Sequence, residues 1–308
     1  MRAQAFDLND AQVSAQVSAQ IISNSHEIAN ILEAEARHGL RGKAPNPNAV
    51  FGGNHAQKKI GSGGDFWQFR ELGESASINN INWRQSAKSD NLYAKEQEAI
   101  KPLRIQIWAD MRANMHWSAS EQHLSKANIS LTIALGVINY LQNNQEMVSI
   151  LNQKPGAISK AKLPQLRKCG QEFPKSFRPG IAIIICDGLD DIAVLEELIM
   201  RANAQKCQLI MAIISDINER EFSFSGRALF TEPANTTEAI LVENCETIRS
   251  QYLEKYNGHF TALKKSCGQN RAQYVEIQSE LPPIEGARKI FQALELTLGL
   301  ANQRGAKQ

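Results

Sequence analysis

The sequence predicts an α/β fold: a doubly wound parallel sheet, with an N-terminal helix and a small β module packed against it. Three observations predict it. After Pro102, short apolar runs such as RIQIWA (104–109), IAIIIC (181–186) and QLIMAII (208–214) read as strands buried on both faces. Between them lie segments whose apolar residues recur at helical spacing. The regular alternation of the two patterns calls for parallel strands covered by helices on both sides.

Residues 1–38 form the first segment, with a helix expected over 10–38 from the apolar face Ile21, Ile28, Ile31 and Leu32. The repetition AQVSAQVSAQ (11–20) reads as a helix surface filled with small residues. Residues 39–102 form the second segment. GKAPNPNAVFGGN (42–54) and GSGG (61–64) break it into a loop. Short aromatic strands in DFWQFREL (65–72) and NLYAKEQE (91–98) then flank INWRQSAK (81–88). Five Lys/Arg and no acid between 37 and 64 make the loop basic, yet almost no aromatic residues interleave them. A solvated loop is therefore preferred over a nucleic-acid or phosphate contact.

The α/β domain spans 103–300. Strand 104–109 leads to a helix near 121–143, with Leu124, Ala127, Leu131, Ala134, Ile138 and Leu141 on one face. Strand 147–151 precedes a polar, Pro-interrupted connection, and strand 181–186 precedes a helix from about Asp190 that presents Val194, Leu195, Leu198 and Ile199. After strand 208–214 come EFSFSGRALF (221–230), a long helix near 245–267 with Ile248, Tyr252, Tyr256 and Leu263, a short strand at 273–278 and a helix from about Pro283. Residues 301–308 read as a polar tail.

Composition narrows the classes of function. A net charge of +2, with 21% charged and 43% hydrophobic residues, gives no global reason to expect nucleic acid or an anionic membrane as partner. Cys169, Cys186, Cys207, Cys245 and Cys267 form no CxxC, so they read as reduced thiols rather than a disulfide framework or zinc site. The opening MRAQAFDLND lacks the apolar region of a signal peptide. LTIALGVINYL (131–141) falls well short of the ~20 residues that span a bilayer. A cytoplasmic chain without direct membrane insertion is expected.

In open parallel sheets, ligands bind at the carboxyl ends of the strands, near the point where strand order reverses. Two strands end there in an aspartate: Asp110 after IQIWA and Asp187 after IAIIIC, with Asp190 and Asp191 close behind. Such carboxylates can hold Mg²⁺, which takes hard oxygen ligands. They can equally cap helices, bond loop amides or complement a helix N-terminus. No HExxH, GxSxG or GxxxxGK[ST] occurs. His116 and His123 read as surface residues, and Cys186 as a buried thiol.

GDFWQFREL (64–72), then INWRQSAKSDNLYAKEQE (81–98), then a strand ending in Asp110 resemble the domain of unknown function 58 family. SDINEREFSFSGRALF (215–230), the Tyr252–Tyr256 helix and LPPIEGARKIFQAL (281–294) are similar to the family's tail. The resemblance covers roughly residues 25–300. It implies a bacterial protein with a von Willebrand factor A-like fold, encoded beside a MoxR-type AAA+ ATPase. It also implies a metal motif, Asp-x-Ser-x-Ser, helped by an aspartate after a later strand. Here the motif reads Asp110-Met111-Arg112-Ala113-Asn114, and the later aspartate is Asp187. Both hydroxyls are gone: Asn114 still offers an amide oxygen, whereas Arg112 has donors only. Two alternatives follow. Either Arg112 replaces the metal by bridging Asp110 and Asp187 as a tethered cation, or it points to solvent and Asp110 caps a turn.

The family's Tyr-x-Pro-Gly-Asp turn reads LGESA (72–76) here, and its Arg-Ile-Asp-Trp-Arg stretch reads NINWR (80–84). Opposite charges have gone together, which leaves no unpaired partner. Trp83 and Arg84 remain, as a core anchor with its polar edge or as a contact surface.

Two functions are carried forward. One is a non-enzymatic adaptor that works with a MoxR-type AAA+ ATPase on protein clients. Its contact face would be Asp110, Arg112, Asn114 and Asp187, with Arg112 open to a partner's carboxylate. Metal binding is then lost and no cofactor is expected. The other is a metal-dependent hydrolase using Asp110, Asp187, Asp190 and Asp191, with Mg²⁺ or Mn²⁺ and a nearby base.

Overall fold

The computed structural model describes residues 11–38, 66–71, 93–97, 103–117, 124–153, 162–232 and 235–305. It is an α/β structure whose five-stranded parallel sheet is flanked by helices on both faces. Helix α1 (Ala11–His38) is followed by strands β1 (Phe66–Glu71) and β2 (Tyr93–Gln97), which pair antiparallel. The basic loop at 39–64 and the stretch holding Trp83 and Arg84 lie outside the described residues.

The sheet comprises β3 (Arg104–Ala109), β4 (Met147–Ile150), β5 (Gly180–Cys186), β6 (Cys207–Ser215) and β9 (Gln273–Gln278). Its order is β4-β3-β5-β6-β9, and every neighbouring pair runs parallel. The chain leaves β3 for β4 on one side and then crosses to β5 on the other. The switch point therefore lies between β3 and β5.

Helices α2 (Lys126–Asn143), α3 (Lys162–Cys169), α4 (Ile192–Ala204), α6 (Cys245–Gln269) and α7 (Pro283–Gly305) make the two outer layers. Side chains alternate along each strand and so divide between them. Ile181, Ile183 and Ile185 of β5 join a core with α1, α2, α3 and α7. Ala182, Ile184 and Cys186 join a second core with α4 and α6. Helix α2 is buried on nearly every side because it lies between the sheet and α1, which explains its almost unbroken apolar composition.

The structure corrects or completes the sequence reading at four points. The Pro-interrupted connection contains α3, where Pro164 sits in the first turn and costs no intrahelical bond. The segment after β6 forms a short helix, α5 (Ile217–Glu221), and a hairpin of β7 (Ala228–Glu232) with β8 (Asn235–Val242). Val194 is exposed, and Leu195, Leu198, Ile199 and Ala202 make the buried face of α4. Helix α7 continues through Gly305, into the expected tail. No helix among the described residues is long and apolar enough to cross a membrane.

Candidate functional site

The pairing of β3 with β5 sets Ala109 opposite Ile185, so Asp110 and Asp187 leave the sheet side by side at the switch point. The Asp110 amide donates to Ile185 O at 2.8 Å and so prolongs the ladder by one bond. Both carboxylates are buried. Gly170 permits this packing: a Cβ there would stand 2.1 Å from Ala109 O and 2.6 Å from Met111 Cγ. Its carbonyl accepts from the Met111 amide at 2.9 Å. Gly188 has φ +67°, and a Cβ there would meet Ile213 Cδ1 at 2.9 Å. That turn brings Asp190 back over the crevice.

Arg112 fills the crevice. Its Nε donates to Asp110 Oδ1 at 2.9 Å and its Nη2 to Asp110 Oδ2 at 2.6 Å. Its other edge takes Asp190: Nη1 reaches Oδ1 at 2.6 Å and Nη2 reaches Oδ2 at 2.7 Å. Both pairs are bidentate forks, the geometry that favours arginine over lysine. The face of the guanidinium lies 4.0 Å from the centroid of Phe173, which stacks on Trp108. Trp108 is anchored in turn by Nε1 donating to Cys169 O at 2.9 Å. Burial disfavours the charge on Arg112, but the bonds to Asp190 and Asp110 outweigh it and raise the pKa above the usual value. Asp110 is also raised: burial outweighs the help it receives from Arg112.

The Asp187 side has a different cation. Lys126, only 1% exposed, is the first residue of α2. Its Nζ donates to Asp187 Oδ2 at 3.3 Å and to Glu219 Oε1 at 2.6 Å. A cation at a helix N-terminus opposes the macrodipole, so these two carboxylates must offset both that and burial. They do: burial lowers the Lys126 pKa, Asp187 and Glu219 raise it, and the net direction is up. Asn114 donates Nδ2 to Asp187 Oδ2 at 2.9 Å, and the Leu189 amide donates to Asp187 Oδ1 at 3.2 Å.

Glu219 is held by a capping box on α5. Asp216 Oδ1 accepts from the Asn218 amide, and Glu219 Oε2 accepts from the Asp216 amide, both at 2.9 Å. Ser279, just past β9, donates to Asp216 Oδ2 at 2.8 Å. The strand-end network thus runs from β3 through β5 and β6 to β9.

The sequence located Asp110 and Asp187 and offered a tethered cation at Arg112 as one of two alternatives. The bridge, however, goes to Asp190 rather than Asp187, because Arg112 and the turn at Gly188 put Asp190 across the guanidinium. Arg112 does not point to solvent. Four of its five N–H groups are committed to Asp110 and Asp190, which corrects the expectation that it receives a partner's carboxylate. Asn114 uses its donor, not its oxygen. Asp191 caps α4, its side chain accepting from the Ala193 amide at 2.9 Å. Lys126, Glu219, Asp216 and Phe173 were not anticipated. A lysine opening a helix that is otherwise apolar was the signal for the first, and the spacing Asp216-x-x-Glu219 for the next two.

Asp110, Asp187 and Asp190 each place a carboxylate oxygen within 4.8 Å of the others, close enough to share a divalent ion. The surrounding residues do not fit one. Both Asp110 oxygens and both Asp190 oxygens are taken by Arg112, and Asp187 Oδ2 already serves Asn114 and Lys126. A fixed cation ~4 Å from a divalent ion costs several kcal/mol even at an effective dielectric near 20, and here there are two. No family model matches the chain, and no curated protein matches it either.

Proposed function

We propose that the chain is a non-enzymatic interaction protein whose contact face is the carboxyl edge of the sheet. The observation that carries this reading is the closed ion network. The strand-end carboxylates are satisfied by Arg112 and Lys126, so the loops after β3, β5 and β6 are tied into one preformed surface. A substrate-polarising site would need open coordination positions, and these carboxylates offer none to spare. The finer assignment is a divergent, von Willebrand factor A-like member of the domain of unknown function 58 family, cytoplasmic and bacterial. Its partner would be a MoxR-type AAA+ ATPase that acts on protein clients. That assignment rests on the resemblance of residues 64–72, 81–98 and 281–294.

Calorimetric titration with Mg²⁺ and Mn²⁺ tests the reading. The natural chain is expected to be silent. An Arg112→Ser, Asn114→Ser variant is expected to stay weak, since Lys126 still lies 3.3 Å from Asp187. Adding Lys126→Thr should open the site. Metal binding by the natural chain, together with phosphoester hydrolysis that Asp110→Asn abolishes, would replace the interaction reading with the hydrolase.

A further inference from the structure

We infer that the carboxyl edge of the sheet docks a basic segment of a partner protein that carries aliphatic side chains between its lysines or arginines. This deepens the interaction reading and rests on it. Three neighbouring strands, β5, β6 and β9, each run into a loop or helix start that exposes one large aliphatic residue. These are Leu189, Ile217 and Leu281, exposed by 43%, 37% and 38%. Adjacent strands stand ~4.8 Å apart, so the three form a row across the edge.

Bonds between the loops make the row one surface. Lys126 ties Asp187, beside Leu189, to Glu219 of α5. Ser279 bonds Asp216, and Arg220 pairs with Glu280, which joins α5 to the segment bearing Leu281. A row of exposed aliphatic side chains on such a fixed frame loses little entropy when it is covered.

Charge selects the partner. Of the acids beside the row, Asp187, Asp190 and Glu280 are spent on Lys126, Arg112 and Arg220, whereas Asp191 and Glu196 after β5 and Glu221 after β6 form no ion pair among the described residues. Cations of the described residues near the edge are held internally: Arg112 by Asp110 and Asp190, Lys126 by Asp187 and Glu219, Arg220 by Glu280, and Arg249 by the carbonyls of Phe222 and Phe224. Asp191 and Glu221 stand exposed next to the aliphatic row. The chain as a whole carries +2, so this acidity is local rather than a property of the molecule. An acidic partner segment would meet repulsion here, and a basic one attraction.

The test uses the full chain and two fluorescein-labelled peptides of identical pattern, one of leucine and lysine, the other with glutamate at every lysine. Anisotropy should show saturable binding of the lysine peptide alone. The Leu189→Ser, Ile217→Ser, Leu281→Ser variant should weaken it about tenfold or more. Asp191→Asn with Glu221→Gln should weaken it less and reduce its dependence on salt, and asparagine preserves the cap on α4. Lysine-peptide binding that survives the triple substitution overturns the proposed position. Glutamate-peptide binding that the triple substitution removes overturns the charge selection while leaving the interaction reading intact. So does binding of a MoxR-type ATPase by a chain that takes neither peptide. A chain that binds neither peptide and no ATPase loses both proposals. Sedimentation velocity adds one more outcome: a dimer dissociated by the triple substitution gives the row to a second copy and overturns the inference.

Discussion

The two halves of the strand-end network solve the same problem in different ways. On the β3 side, a local arginine two residues past Asp110 spreads its charge over two forks and an aromatic face, and remains 22% exposed. On the β5 side, a lysine reaches Asp187 from 61 residues away and Glu219 from 93 away, with almost no solvent contact. The arginine closes the crevice between neighbouring loops. The lysine joins three elements that are distant in sequence, α2, the end of β5 and α5. Loss of the first should therefore loosen a loop, and loss of the second should weaken the domain.

Lys126→Met breaks the comparison most severely. It leaves Asp187 buried with only Asn114 and a backbone amide as partners, at a cost of about 3–5 kcal/mol in denaturant unfolding. Adding Asp187→Asn should return much of that loss, since the uncompensated charge goes with it. The pH dependence gives a second readout. Lys126 titrates above its usual 10.5 in the folded chain, so its contribution is complete below 10.5 and fades as pH rises through the folded value. Lys126→Met should make the alkaline decline shallower, the remainder coming from buried thiols such as Cys207 and Cys267, which burial pushes up to about 12; an unchanged decline would remove the lysine from the account.

Arg112→Met comes next, at about 2–3 kcal/mol, because its partner Asp190 can turn to water while Asp110 cannot. Asp110 already takes up its proton more readily than usual because of burial, and loss of the guanidinium should push it further up. The sign follows: above the folded pKa the buried charge penalises the native state in full, and the penalty fades as pH falls through that value toward the ordinary 3.8. The deficit of Arg112→Met should thus shrink as pH falls through the folded pKa, by about 1.4 kcal/mol for each unit of displaced pKa. A deficit that is constant across that range would mean Asp110 finds another cation.

The same contrast explains what the sequence disclosed. Asp110 and Asp187 were legible because each follows an apolar strand directly, and parallel pairing puts such ends together. Arg112 was legible as a cation because it stands two residues from Asp110. Its second partner was not, since the choice between Asp187 and Asp190 depends on the positive φ at Gly188. Lys126 stands in the sequence with no mark of its partners, which are set by how α2 and α5 meet over β5. The hairpin of β7 and β8 was missed for a related reason. Its β7 strand continues an aromatic segment whose Phe222, Phe224 and Phe230 pack on one another, so no clean alternation marks where the strand begins.

The smallest effect is expected beneath the arginine, and it separates the two halves most finely. Phe173 lies 4.0 Å under the Arg112 guanidinium and stacks on Trp108 at 5.4 Å, whereas the Lys126 ammonium pairs with the carboxylates of Asp187 and Glu219. Phe173→Leu keeps most of the apolar volume and removes the ring that faces the cation. A half-exposed cation–π contact contributes about 0.5–1 kcal/mol, so unfolding should become easier by that much. Combining it with Arg112→Met turns this into a coupling measurement. If the ring acts through the cation, Phe173→Leu should cost less in the Arg112→Met background than in the natural one. The same substitution paired with Lys126→Met should add its full cost, because Phe173 has no contact with that half. Equal costs in all three backgrounds would make Phe173 a packing residue for Trp108, and the arginine would then be held by its two carboxylates alone.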